Sequence, residues 1–216
     1  MANINSPKGL QPIAYMSGAP WGGAVRTYWV PAGNATALFM GDPVNLIGNS
    51  SDANGVPGVV IASAGNSKQI LGAFLGISNN AGLLVDPLLQ SQTPYLAANQ
   101  AAYVYVCDDP FLLYQIQENS PAGVAMTANA AGGNANLVAG AGSTITNFSG
   151  WQLNSASLTQ ATGSDSTSQL RIIQALQQTG NAVGTSGSPE IGVNAQWLVK
   201  INQGISAFTQ PLSGQS

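Results

Sequence analysis

The apolar residues of this chain fall into short runs, and each run ends at or near glycine, proline or asparagine. Several runs alternate between apolar and polar positions, which is the two-residue period of a strand with one buried face. The clearest examples lie at residues 25–30, 44–47, 59–61, 72–77, 103–106, 112–117 and 197–201. No run keeps a helical period over more than about 12 residues. This pattern predicts an all-β fold, an antiparallel sandwich or barrel.

We expect a single β-rich body over residues 25–204, jelly-roll-like or β-tulip-like, because sandwiches and barrels of this length commonly form one unit. Residues 122–142 are dominated by alanine and glycine, which predicts a short helix or a broad loop. Residues 169–178 fit a short helix or a strand, and the β-branched Ile172 and Ile173 favour the strand. Residues 205–216 are predicted to form a polar C-terminal tail.

The first 24 residues differ from the body because they contain three prolines and four glycines and follow neither period. Residues 1–24 are therefore predicted to form an extended N-terminal arm. The arm carries Tyr15 and Trp21, which are large apolar groups that are unfavourable in water. It must gain order from a surface, either its own body or a neighbouring subunit.

Charged residues are scarce, and this scarcity argues against most chemistry. Only 6% of the 216 residues are charged, with five Lys and Arg, eight Asp and Glu, and no histidine. Acid–base catalysis and metal binding both draw on these residue types, so we expect no enzyme, no metal and no cofactor. The basic residues form no stripe that could neutralise phosphates, so nucleic acid is not an expected partner.

The acidic residues offer two weak matches to functional motifs. Asp108 and Asp109 are paired carboxylates, which a polysaccharide-cleaving enzyme would need. Adjacent strand residues point to opposite faces, however, so a turn before Pro110 is favoured. Residues 52–55 (DANG) resemble part of a calcium loop, but Ile61 falls where the loop needs its bidentate glutamate. A polar hairpin turn is the favoured interpretation, and no catalytic residue is assigned.

Cellular context can be inferred only indirectly. The single Cys107 cannot form an intramolecular disulfide, and it is predicted to be a small buried apolar residue in a chain folded in a reducing cytosol. The N-terminus lacks the features of a secretion signal. No segment approaches the roughly 20 apolar residues that span a bilayer, so we expect no membrane partner.

The order of segments resembles the capsid decoration, or cement, proteins of tailed bacteriophages. The opening at residues 5–12 (NSPKGLQP) is similar to an arm of the form N-x-P-x-G-L-x-P in that family. Further similar segments are 38–44 (LFMGDPV), 72–77 (GAFLGI), 108–110 (DDP), 134–138 (NANLV), 149–153 (SGWQL), 170–173 (LRII) and 194–202 (NAQWLVKIN). The match is spread over nearly the whole chain.

The resemblance implies a structural virion protein on the outer capsid surface. Such a protein cements neighbouring major capsid subunits against the pressure of packaged DNA, by contact area rather than by chemistry. It implies the major capsid protein and further copies of this chain as partners, a homotrimer first and a homodimer next. Tyr15, Trp21 and Trp29 are the candidate intersubunit contacts, because buried aromatic anchors dominate such interfaces.

A carbohydrate-binding or receptor-binding β-domain of a phage spike or fibre is the alternative. A neutral, asparagine-rich β-protein with exposed aromatic residues could present a sugar platform. Trp151 and Trp197 occupy predicted core positions, which leaves Trp21 and Trp29 for that role.

Overall fold

The computed structural model describes residues 3–78, 94–121, 125–160, 167–185 and 189–204, and this part of the chain is almost entirely β. Five strands form a barrel: β2 (Arg26–Val30), β3 (Pro43–Ser51), β4 (Pro57–Ile61), β5 (Gly72–Ser78) and β6 (Ala102–Cys107). Five form an open sheet: β1 (Gln11–Tyr15), β7 (Leu112–Gln117), β8 (Asn134–Ala135), β11 (Leu170–Ala175) and β12 (Gln196–Ile201). Two short strands, β9 (Leu137–Val138) and β10 (Gln152–Leu153), pair with each other. The predicted all-β class is confirmed.

The barrel closes in the order β2-β4-β3-β5-β6, and β6 pairs with β2. Its pairs are antiparallel except that β2 meets β4 in parallel, where Trp29 lies opposite Gly58. Alternate residues of each strand fill the interior, as the two-residue period predicts. The buried interior includes Tyr28, Val30, Val44, Val59, Phe74, Val104 and Val106.

The open sheet has the order β1-β7-β12-β11-β8 and is antiparallel throughout. Residues 170–175 form a strand rather than a helix, as the β-branched pair indicates. Trp197 and Val199 are buried and Ile201 is partly buried, so the predicted inward face of this run is confirmed. A second hydrophobic core lies against this sheet and contains Leu10, Tyr114, Ile116, Trp151, Leu170 and Ile172.

The N-terminal segment, predicted to be an extended arm, contains a strand. Gln11–Tyr15 forms β1, which pairs with β7 at the edge of the open sheet. Pro12 is compatible with this position because an edge strand does not need every backbone N–H. The chain then turns back, and the backbone N–H of Trp21 donates to the Ile13 carbonyl at 2.8 Å. The described part of the segment therefore lies on the chain's own body.

The alanine- and glycine-rich stretch, predicted to be a short helix or a broad loop, contains one short helical turn and two short strands that were not predicted. Ala128–Ala130 is a single 3₁₀ turn, and the two-residue strands β8 and β9 follow it. Residues 122–124 and the predicted tail at 205–216 lie outside the described residues. Within the described ranges, no helix has the length and apolar character needed to cross a membrane.

Candidate interaction surfaces

Trp29 and Tyr103 form an aromatic pair on the outer wall of the barrel. They lie opposite each other on β2 and β6, with ring centroids 5.1 Å apart and planes inclined by 52°. Tyr28, Val30 and Val104 point inward from the same strands, so alternation turns Trp29 and Tyr103 outward. Trp29 is partly exposed and, in the part of the chain that the structure describes, belongs to neither hydrophobic core.

The β3–β4 turn supports this pair from one side. The Tyr103 hydroxyl donates to the Asp52 carboxylate and accepts a hydrogen bond from the Asn54 amide at 3.2 Å. The bond from Tyr103 is the main reason why the pKa of Asp52 is lowered, and it also raises the pKa of Tyr103. These contacts hold the Tyr103 ring in place beside Trp29.

In the same turn, which resembles part of a calcium loop in sequence, the Asp52 carboxylate bonds to the backbone. Asp52 Oδ1 accepts from the backbone N–H of Val56 at 2.7 Å and of Asn54 at 3.0 Å, and Gly55 closes the turn with φ +80°. The predicted polar hairpin turn is confirmed. No group of three or more His, Cys, Asp or Glu that could hold a metal ion occurs among the described residues.

Tyr15 and Trp21 lie on the open sheet rather than beside Trp29. Both are partly buried against the core of that sheet, and the Trp21 indole N–H donates to the Ala24 carbonyl at 3.2 Å. Tyr15 is the last residue of β1 and lies opposite Leu112. The structure therefore does not gather the three predicted contact residues on one surface, and their intersubunit role stays a prediction.

Asp108 and Asp109 serve different local contacts. Asp108 accepts from the Tyr28 hydroxyl at 2.6 Å and from the Arg26 guanidinium at 3.2 Å. Asp109 accepts from the backbone N–H of Phe111 at 2.8 Å and so forms the predicted turn between β6 and β7. The two carboxylates do not converge on one substrate position.

Several exposed apolar side chains were not predicted from the sequence. Ile4 is 82% exposed, and Phe111 is 57% exposed. Met16 is also exposed and lies beside Phe111, because its backbone N–H donates to the Phe111 carbonyl at 2.8 Å. No periodicity marks these residues, since none of the three lies within a strand.

Glu118 is a buried carboxyl group that sequence reasoning also missed. It accepts hydrogen bonds from the Ser120 hydroxyl at 2.8 Å, the Met126 backbone N–H at 3.1 Å and the Trp197 indole N–H at 3.1 Å. Burial raises its pKa to about 7, although these bonds oppose the shift. Its contacts tie the end of β7 to β12, which is a structural role.

A cleft of about 680 Å³ lies over β1, β7 and β12, and amide side chains line most of it. Its polar walls, like the aromatic pair on the barrel, are suited to contact through hydrogen bonds and apolar surface rather than through charge. Comparison with protein-family models, with curated proteins and with solved structures found no match to this chain.

Proposed function

We propose that this protein is a structural virion protein of a tailed bacteriophage that binds the outer capsid surface and cements neighbouring major capsid subunits. The observation that carries the proposal is Trp29. It is a large aromatic residue held outward on the barrel, where it packs on Tyr103 instead of on a core. A rigid aromatic group of this kind is a typical anchor in protein–protein interfaces.

The sequence resemblance supports the same proposal. Two of the segments that carry it, residues 5–12 and 38–44, are in direct contact, because the Leu10 backbone N–H donates to the Gly41 carbonyl at 2.8 Å. Segments that are far apart in sequence and meet in space form one structural unit of the fold. In this chain, two of the segments that carry the resemblance therefore belong to one packed feature.

The proposed partners are the major capsid protein and further copies of this chain, without nucleic acid or membrane. A homotrimer is the first choice and a homodimer the second. Individually weak contacts become long-lived when one oligomer engages several capsid subunits together, because each later contact forms at a high effective concentration. Sedimentation or light scattering of the purified protein measures the oligomeric state directly.

The test compares two aromatic truncations on empty, expanded heads of the encoding phage. Trp29→Ala removes the proposed anchor, and we expect at least a tenfold loss of affinity, about 1.4 kcal/mol or more. Phe111→Ala is the matched control, because it removes another exposed aromatic side chain at the turn before β7. The control is expected to bind like the parent protein, with equal thermal unfolding for all three.

Two outcomes would count against the proposal. Equal binding of the Trp29→Ala variant would remove Trp29 from the interface. Density of intact virions that places this chain in a tail spike or fibre, rather than on the head, would replace the capsid function by the receptor-binding alternative.

A further inference from the structure

The amide-lined cleft lies on a different part of the fold from the Trp29 pair. Its floor is formed by Gln11 of β1, Gln115 and Gln117 of β7 and Gln196 of β12. Gln11 lies opposite Gln115, and Gln117 opposite Gln196, so these amides share one face of three adjacent strands. The volume of about 680 Å³ falls within the roughly 300–1,000 Å³ of typical small-molecule sites.

Three carboxamides fix the walls of the cleft. Gln117 donates to the Ile4 carbonyl at 2.8 Å and accepts from the Ser6 backbone N–H at 3.1 Å, which ties the N-terminal segment to β7. Asn3 makes a paired contact with Ala182, donating to its carbonyl at 2.7 Å and accepting from its N–H at 2.8 Å.

Asn181 is the third of these carboxamides and holds the opposite wall of the cleft. It donates to the Gln196 carbonyl at 2.9 Å and accepts from the Gln196 N–H at 2.7 Å. The cleft is therefore built by side chains whose hydrogen-bonding groups are already used. It does not need a ligand to take shape.

Other carboxamides in the cleft keep unused hydrogen-bonding groups. Gln115 donates to Gln196 Oε1 at 3.3 Å, which leaves Gln115 Oε1 as an acceptor and Gln196 Nε2 as a donor side by side. The side chains of Asn194 and Gln178 also line the cleft and make no hydrogen bond to another described residue. Neighbouring neutral donors and acceptors of this kind match hydroxyl groups, which both donate and accept.

We propose that this cleft binds a neutral oligosaccharide of two to three sugar units. Lys8 is the single charged residue among the described residues that line it, and its ammonium group lies 5.0 Å from the centre of the Phe148 ring. With that ammonium group placed over the ring, the rest of the lining is uncharged, and its carboxamides suit the polar edges of a neutral ligand.

The geometry favours a saccharide over an extended peptide. Peptides that add to a sheet use free backbone groups at a strand edge. The cleft instead lies over the face of β7, whose backbone pairs with β1 on one side and β12 on the other. The floor of the cleft therefore offers side chains to the ligand, and not a free strand edge. The proposal does not rest on the capsid function, since it uses none of the Trp29 contacts.

The test uses the full chain and three defined probes, maltotriose, mannotriose and N-acetylchitotriose, with a printed array of neutral and acidic glycans to widen the search. Binding is followed by amide chemical shifts in NMR titrations up to about 10 mM saccharide, a range that detects weak ligands. We expect one neutral glycan to shift signals of cleft residues. The double variant Gln115→Ala/Gln196→Ala should weaken this binding at least about tenfold, as loss of two hydrogen bonds predicts.

The double variant is chosen because the two side chains bond to each other, so removing both leaves no unpaired partner behind. Gln100→Ala, an exposed glutamine outside the cleft, is the matched control and should bind like the parent chain. Absence of any neutral-glycan binding would overturn the proposal, as would unchanged binding by the double variant. Selective binding of acidic glycans, or of a synthetic peptide of residues 205–216 in place of saccharides, would also overturn it.

Discussion

Gly9 and Gly41 approach each other so closely that neither position has room for a β-carbon. A β-carbon on Gly9 would lie 2.2 Å from the Gly41 carbonyl oxygen, and one on Gly41 would lie 2.0 Å from the Lys8 carbonyl oxygen. Both residues also have positive φ, +67° and +94°. The contact fixes the N-terminal segment against residues 38–43, and the hydrogen bond from the Leu10 N–H to the Gly41 carbonyl adds to it.

Alanine at either glycine is expected to destabilise the protein strongly. Gly9→Ala and Gly41→Ala combine a backbone clash with a left-handed conformation, so each should lower the free energy of unfolding by about 3 kcal/mol or more. Gly18→Ala separates the clash from the backbone conformation. Gly18 has φ +88°, but a β-carbon added there would have no neighbour within 4 Å, so the free energy of unfolding should fall by only about 1 kcal/mol. Urea denaturation measures all three, with the open, exposed Gly33→Ala as control.

If the Gly9→Ala and Gly33→Ala variants are equally stable, the close contact between Gly9 and Gly41 is contradicted. Equal stability would mean that the N-terminal segment can move away from the turn without loss.

The strands of the body could be predicted because burial on one face imposes a two-residue period. Residues 112–117 and 197–201 show this period, and both are strands of the open sheet. β1 could not be predicted, because Pro12 and the surrounding glycines obscure the pattern and an edge strand is held by its partner β7 rather than by its own sequence. The division into a barrel and an open sheet depends on pairing between distant strands, which periodicity does not encode.

The candidate surfaces were predictable only in part. The aromatic residues Trp29, Tyr15 and Trp21 stand out in the sequence, but their distribution over two parts of the fold does not. The cleft was not predicted, because its glutamines are ordinary solvent-side residues until three strands and the N-terminal segment bring them together. Glu118 gave no signal either, since its burial follows from contacts with Trp197 and Met126.

Stability is expected to fall as pH rises from about 4 to about 7. Burial raises the pKa of Glu118 from 4.5 to about 7 and that of Asp42 from 3.8 to about 6. Between the unfolded and the folded pKa of each group, the native state holds a proton that the unfolded state has already released. The stabilisation is therefore complete below the unfolded values and is lost as pH rises through the folded values.

The expected loss is about 3 kcal/mol for each of the two groups, measured by urea denaturation across this pH range. Carboxyl carbon NMR of Glu118 would follow its titration directly. Glu118→Gln should flatten the upper part of the profile and leave the part due to Asp42. A free energy of unfolding that is constant or rises between these pH values would refute the prediction.

Removal of the N-terminal segment is expected to destabilise the isolated body. Deleting residues 2–16 removes β1, which pairs with β7, and also removes Leu10, which is completely buried. Leu10→Ala alone should lower the free energy of unfolding by about 2–5 kcal/mol, whereas Ile4→Ala, at an exposed position, should change it by less than about 0.5 kcal/mol. If the truncated chain instead unfolds at the same temperature as the parent chain, the segment does not stabilise its own body, and contacts with another subunit would explain it.

Cys107 is expected to resist thiol reagents in the native protein. The residue is fully buried in the core of the open sheet, and burial raises the pKa of its thiol to about 12. The reactive thiolate is therefore scarce and inaccessible. Reaction with a chromogenic disulfide should be at least about 100-fold slower than in the urea-unfolded chain. A Gln100→Cys variant supplies an exposed thiol for comparison, and equal rates at the two cysteines would contradict this burial.

The proposed association with the capsid is expected to be nearly insensitive to salt. The chain has only five basic residues, and Arg26 already pairs with Asp108 within the protein. The proposed anchor, Trp29 with Tyr103, contributes apolar area, which salt does not screen. Titrations onto empty heads at about 0.1 M and about 1 M salt, where the Debye length falls from roughly 10 Å to 3 Å, should give affinities within about threefold. Trp29→Ala provides the baseline for non-specific adsorption, and a tenfold loss of specific binding at high salt would show that ion pairs hold the interface.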